Sequence, residues 1–304
     1  MRVPATSANL GPGFDAAGLA LALYDEVSGI ITDAGLSIDV SGEGASDLAR
    51  DESHLVLRAM RATFDRLGGQ PPGLALRCAN RIPHGRGLGS SAAAIVAGAV
   101  LARAMVDGGA EALSDQAVLA LCADLEGHPD NVAACLFGGL TIAWLERGRA
   151  TAWQGRCVAG IRPVAFVPPY ASATETARKV LPSVVSHGDA VFTAGRAALL
   201  IAALTANPEL LLAATEDRLH QPYRVDATPP TADLLRRLRS ADLPAVLSGA
   251  GPTVLVLAST PAEVSRALAQ AAPGWATLAL DVDSAGAVVA DADQPECTDA
   301  AGQP

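Results

Sequence analysis

Apolar and polar positions fall into distinct blocks along this chain. In residues 53–67 (SHLVLRAMRATFDRL) apolar side chains return every three or four positions, which predicts an amphipathic helix with Ser53 as N-cap and Gly68-Gly69 as stop. Residues 27–41 alternate on either side of Asp33-Ala34-Gly35, the pattern of two strands around a turn. Leu74 to Cys78 predicts another short strand, and residues 91–106 are small and apolar nearly all round, which predicts a buried helix. Ser114 caps a helix reaching about Glu126, where Gly127-His128-Pro129-Asp130 breaks it. Strands follow at 138–146 and 161–167, then helices near 188–205 and 208–218. The chain closes with strand 243–248, loop 249–252, strand 253–258, helix 260–271 and strand 275–282. This order predicts an α+β sandwich in two halves, residues 1–157 and 158–290, with a polar, frayed tail at 291–304.

Composition narrows the class. Half of the 304 residues are hydrophobic and 18% are charged, enough for a sizeable core. The formal net charge of -10 repels nucleic-acid phosphates and anionic lipid, so neither is an expected partner. The basic residues include a single lysine, Lys179, between Arg178 and Val180, so there is no Gly-Lys-Ser/Thr phosphate loop. Nor is there a protein-kinase catalytic loop. The five cysteines form no Cys-x-x-Cys pair, which reads as reduced thiols. Met1-Arg2-Val3-Pro4 leads into no apolar signal region. The longest apolar stretch, about Leu88 to Ala102, is shorter than the ~18 residues of a spanning helix. A soluble, cytoplasmic protein is the expectation.

The most informative segment is Pro83-His84-Gly85-Arg86-Gly87-Leu88-Gly89-Ser90-Ser91-Ala92, which opens directly into a helix. A helix N-terminus leaves backbone N–H groups unpaired and carries partial positive charge. Glycines let that backbone approach a phosphate closely, and Ser90 and Ser91 add hydroxyls, either of which could ligate magnesium. Such a site needs no lysine. Gly87 to Ala92 also fits G-x-G-x-x-A, the dinucleotide pattern, but Arg81, Pro83, His84 and Arg86 stand where a buried strand should precede it. A plain glycine-rich turn before a core helix would account for the glycines without any ligand.

Pro83 to Ala93 closely resembles the P-x-x-x-G-L-G-S-S-A-A phosphate loop of GHMP kinases. Pro4-Ala5-Thr6-Ser7-Ala8-Asn9-Leu10-Gly11-Pro12-Gly13-Phe14-Asp15 resembles that family's N-terminal motif in its homoserine kinase form, and Ser248-Gly249-Ala250-Gly251-Pro252-Thr253 its glycine-rich third motif. The three stand in family order and span nearly the whole chain. The resemblance implies a two-domain α+β fold: an N-terminal domain like ribosomal protein S5 domain 2, with a left-handed crossover, and a C-terminal ferredoxin-like sandwich. It implies an ATP-dependent, Mg²⁺-requiring kinase for a small alcohol, with ATP phosphates on Pro83, Gly85, Arg86, Gly87, Leu88, Gly89, Ser90, Ser91 and Ala92. It also suggests a homodimer.

Glu126-Gly127-His128-Pro129-Asp130-Asn131 matches the E-G-H-x-D-N stretch of homoserine kinases; without that match it would read as a solvated helix end. Magnesium prefers carboxylate, hydroxyl and phosphate oxygens, and the family match points to Glu126 with Ser91. L-homoserine, the acceptor the resemblance implies, needs a carboxylate for its ammonium and arginines for its carboxylate. Asn9, Asp15, His128, Asn131, Thr174, Arg178, Arg224, Gly249 and Gly251 match the family's substrate set. Asn131 would meet the acceptor hydroxyl, beside Asp130, with catalysis mainly by positioning and electrostatics. The rival readings are a mevalonate- or sugar-type GHMP kinase, whose acceptor lacks an ammonium, and a non-catalytic GHMP-like binding protein.

Overall fold

The computed structural model describes residues 1–290 except Ala173 and Ala227, with the backbone alone for Thr174, Glu175 and Thr176. The expected tail at 291–304 lies outside the described residues.

The first half is built on a six-stranded sheet. Its strands are β1 (Arg2–Ala8), β2 (Ala17–Thr32), β3 (Gly35–Gly42), β4 (Gly73–Asn80), β5 (Leu140–Glu146) and β6 (Arg149–Gly155), in the order β3-β4-β2-β5-β6 with β1 also on β2. The hairpin around Asp33 is present, but β2 starts ten residues earlier than residue 27. Its first part, Gly18 to Glu26, pairs with β1, and its last part, Glu26 to Thr32, pairs with β4. β3 runs parallel to β4, and α1 (Leu55–Arg66) lies in the connection between them. α1 begins one residue later than expected: Ser53 bonds Asp51, and His54 stands at the N-cap. Four more helices follow, α2 (Ser90–Ala104), α3 (Gly109–Ala112), α4 (Asp115–Glu126) and α5 (Asp130–Phe137). Ser114 caps α4 as predicted, accepting the Ala117 N–H. α5 was hidden in the sequence because it is only eight residues long and begins inside the polar Pro129-Asp130-Asn131 run.

The second half carries β7 (Arg162–Val167), α6 (Thr174–Lys179), α7 (His187–Thr205), α8 (Leu211–Ala214), α9 (Gln221–Asp226), α10 (Pro229–Ser240), β8 (Ala245–Leu247), β9 (Val254–Ala258), α11 (Pro261–Leu268) and β10 (Ala276–Ala279). The antiparallel sheet has the order β10-β7-β9-β8. The expected helix at 208–218 is a 3₁₀ turn, Pro208–Leu210, followed by the short α8. β9 reads VLVLA because both its faces are buried: Val254 and Val256 belong to one core with Leu234 and Leu238 of α10, while Leu255 and Leu257 belong to the other, which also holds Leu200 and Leu204 of α7. That second face is continuous with the core of the first half. The chain then returns, as Asp281 and Asp283 bond the backbone of Ala22, Ala20 and Gly139.

Among the described residues α7 is long and apolar enough to cross a bilayer by length and composition. Its Thr193, Leu200, Ala203 and Leu204 are buried against the rest of the chain. Among the described residues it is longer than α2, the apolar helix that the Leu88 to Ala102 stretch enters, though Asp189 and Arg196 interrupt it.

Candidate active site

Both halves contribute to one cleft of about 260 Å³. Its walls include Asn9 and Asp15 from the β1–β2 loop, Gly85, Gly87, Gly89, Ser90 and Ser91 from the glycine-rich loop, and Glu126, His128, Asp130 and Asn131 from the α4–α5 corner. Arg178, Arg224 and Gly249 close it from the second half. Most of the residues expected from sequence therefore converge, although they come from six separate segments.

The glycine-rich loop delivers the start of α2 to the cleft. Gly89 sits at the N-cap with φ 70° and no side-chain cap bond, so the first-turn N–H groups have no capping side chain. A Cβ at Gly89 would lie 1.9 Å from Thr6 Oγ1, so only glycine fits there. Leu88 and Ala92 are fully buried and seat the loop; neither they nor Pro83 line the cleft. The Arg86 side chain also turns away. Its guanidinium donates to the carbonyls of His84, Pro168 and Pro169 at 3.0, 2.9 and 3.0 Å, which ties the loop to the second half. Gly251 stands behind Gly87 rather than in the cleft.

At the α4–α5 corner, Ser91 Oγ donates to Glu126 Oε1 at 2.6 Å. Burial pushes the Glu126 carboxyl above its usual range, opposed by that hydrogen bond and by His128, and Asp130 adds to the rise. Asp130 is buried, and its Oδ1 lies 2.8 Å from His128 Nδ1 and accepts the Asn131 N–H at 2.7 Å. The Asp130 bond raises the His128 pKa against the opposing effect of burial. Thr6 Oγ1 donates to Asn131 Oδ1 at 2.8 Å. With its oxygen held, the NH₂ of Asn131 lies 3.5 Å from Asp130 Oδ1 at the cleft wall. A neutral amide in that orientation donates hydrogen bonds and cannot take up a proton.

The opposite wall is charged. Arg178 forms a two-point pair with Asp15, at 2.8 and 3.0 Å, and that bond raises the guanidinium pKa. Arg224 is buried, donates to Ala177 O and Gly249 O, and lies over the Phe14 ring at 5.1 Å. Burial lowers its pKa, and Asp15 opposes this. Asn9 was expected to touch the ligand, but its amide is engaged by protein: Nδ2 donates to Gly249 O, and Oδ1 accepts the Asp15 N–H, each at 2.9 Å. It fixes the Asp15 backbone from its place in the cleft wall. Thr174 starts α6, and its side chain lies outside the described residues.

Sequence reasoning missed Thr6, which stood within a quoted motif without a role. It also missed a second hollow of about 220 Å³ that shares Ser90 and Ser91 with the cleft. Val3, Val27, Leu48, Leu55 and Ala94 give it an apolar wall, and His54 lies beside them. No local signal could have found a hollow assembled from β1, β2, α1 and α2. Among the described residues there is no cluster of three or more His, Cys, Asp or Glu side chains arranged to hold a metal.

Residues 54–139 match the model for the GHMP kinases N terminal domain, and residues 190–274 match GHMP kinases C terminal. The chain is 58% identical to a homoserine kinase of Streptomyces avermitilis, over 95% of this chain and 94% of that one. The chain belongs to the homoserine kinase family of GHMP kinases. A family member from Clavibacter michiganensis subsp. michiganensis is 49% identical over 97% of this chain and 94% of its own. In fold, the chain superposes on a crystal structure of homoserine kinase from Cytophaga hutchinsonii with TM-score 0.83 at 24% identity, covering 94% and 95% of the two chains. The two-domain α+β architecture is that of the GHMP kinases.

Proposed function

We propose that this chain transfers the γ-phosphoryl group of ATP to the side-chain hydroxyl of L-homoserine, giving ADP and O-phospho-L-homoserine for threonine biosynthesis. The carrying observation is the pairing, in one cleft, of an uncapped helix N-terminus with Asp15, Arg178 and Arg224 on the facing wall. The first suits a phosphate. The second offers a carboxylate for an α-ammonium and two guanidiniums for an α-carboxylate. Asp15 and Arg178 answer each other through their two-point pair, and an amino-acid acceptor would exchange that pair for its own ammonium and carboxylate; mevalonate and sugars bring no ammonium to make the exchange. The apolar hollow beyond Ser90 and Ser91 suits the nucleoside, and neither ring nitrogen of the buried His54 on its wall has a protein partner.

Glu126 and Ser91 fit Mg²⁺. They place a half-buried carboxylate and a hydroxyl 2.6 Å apart beside the α2 N-terminus, and burial raises that carboxyl. When bound there, the ion would neutralise charge on the phosphates during transfer. The chain's own residues do the rest. The α2 backbone orients the phosphoryl group, and the Asn131 NH₂ orients the acceptor oxygen. The bond from that oxygen to the γ-phosphorus forms as the bond to the β-phosphate oxygen breaks. Asp130 Oδ1 is engaged by His128 and the Asn131 N–H, and in this reading the hydroxyl proton leaves to the transferred phosphoryl group or to water. A loose transition state asks little of a base.

Binding of homoserine analogues tests this reading. Homoserine should bind at least ~30-fold tighter than 4-hydroxybutyrate or 3-aminopropanol, each of which lacks one charged group. Equal binding of all three would remove the reason for assigning an amino acid to the cleft.

A further inference from the structure

His220 is fully buried, and the activity proposed above gives it no chemical step. Its ring nevertheless touches the acceptor wall twice. Nε2 lies 2.6 Å from Gly11 O, and Phe14 stacks on the ring with centroids 4.8 Å apart at 17°. A carbonyl can only accept, so Nε2 carries the proton. Nδ1 has no protein partner, consistent with a neutral ring in that tautomer.

The position of His220 is itself fixed. Asp217, buried, accepts the backbone N–H groups of Leu219, His220 and Gln221 and so holds the entry to α9. His220 and Arg224 are four residues apart, which puts them on one side of α9. Phe14 meets both, stacked on His220 and 5.1 Å from the Arg224 guanidinium. The loop it belongs to is costly to hold: Asn9, Leu10, Gly11 and Asp15 all have φ between 47° and 84°. A Cβ on Gly11 would come within 2.7 Å of Thr215 O, so this backbone is pressed against the second half.

We infer that His220 is the positioning residue of the acceptor site: its N–H pins Gly11, and its ring, through Phe14, sets Asp15 and Arg224 in mutual register. The inference rests on the acceptor assignment for its kinetic consequence but not for its structural one.

Two variants separate the two grips. His220→Phe keeps a ring for Phe14 and loses the N–H, whereas His220→Gln keeps a donor and loses the ring. Each should raise KM for homoserine about five- to tenfold, and His220→Ala more than either, with KM for ATP and kcat within about twofold of the parent. Hydrogen exchange of the 9–16 amides should accelerate about tenfold in His220→Ala, with α2 and β4 unchanged. That second readout needs no substrate, so it stands even if homoserine is not turned over. Unchanged exchange at 9–16, or equal acceleration along the whole chain, would overturn the inference. So would equal rises in both KM values.

Discussion

Arg178 and Asp15, 163 residues apart in sequence, face each other through two parallel hydrogen bonds of 2.8 and 3.0 Å. One group matches an α-carboxylate and the other an α-ammonium. The pair therefore defines both charge requirements of the acceptor at one point of the wall.

Arg178→Ala should raise KM for homoserine about 10- to 50-fold, within the range for losing hydrogen bonds to a charged group at a partly exposed site. Arg178→Lys should recover little of this, because an ammonium cannot donate in the two-point geometry. Steady-state kinetics on both variants checks this, and full recovery by lysine would show that charge alone suffices.

Asp130 offers a second test. Its Oδ1 serves His128 and the Asn131 N–H, and the proposed mechanism gives it a positioning role. Asp130→Asn should lower kcat by about 10- to 100-fold and leave the shape of the pH profile intact. A loss of about 10⁴ together with the disappearance of the basic limb would identify a general base instead.

Magnesium dependence should carry the mark of Glu126. Burial raises this carboxyl, so protons compete with the ion at higher pH than for an ordinary glutamate. The Mg²⁺ concentration for half-maximal rate should climb as pH falls through that raised pKa. In Glu126→Gln it should be high and nearly independent of pH. A titration series across acidic to neutral pH decides, and parallel curves for the two proteins would exclude Glu126 as the ligand.

His128 makes a prediction about stability. Its folded pKa is raised, chiefly by the Asp130 bond. The stabilisation is thus complete below the ordinary histidine pKa and is lost as pH rises through the raised one. The Tm difference between the parent and His128→Asn should be largest in acid and shrink across that window. A difference that grows with pH would contradict the pairing.

Local patterns made much of this legible. Ser114, Gly127 and the alternation around Asp33 announced their elements, because caps and turns are written in adjacent residues. β1 and the early part of β2 were not, since Thr6 and Ser7 are buried polar residues that satisfy themselves on Asn131 and Ser248. The glycine-rich loop and the acidic corner stood out as motifs, but what each side chain does could not be read there. Arg86 reads as a phosphate ligand, and its guanidinium bonds the carbonyls of Pro168 and Pro169; Asn9 reads as a substrate contact, and its amide bonds Gly249 O and the Asp15 N–H. Both assignments depend on carbonyls brought in from the other half of the chain, which no spacing records.

The central claim is the acceptor, and a coupled assay of ADP release tests it most directly. It is run with ATP and Mg²⁺ against homoserine, mevalonate, galactose and no acceptor. The account predicts turnover with homoserine alone, falling sharply at subsaturating homoserine in Arg178→Ala. Turnover with mevalonate or galactose in place of homoserine, or ATP binding with no turnover on any acceptor, would contradict it.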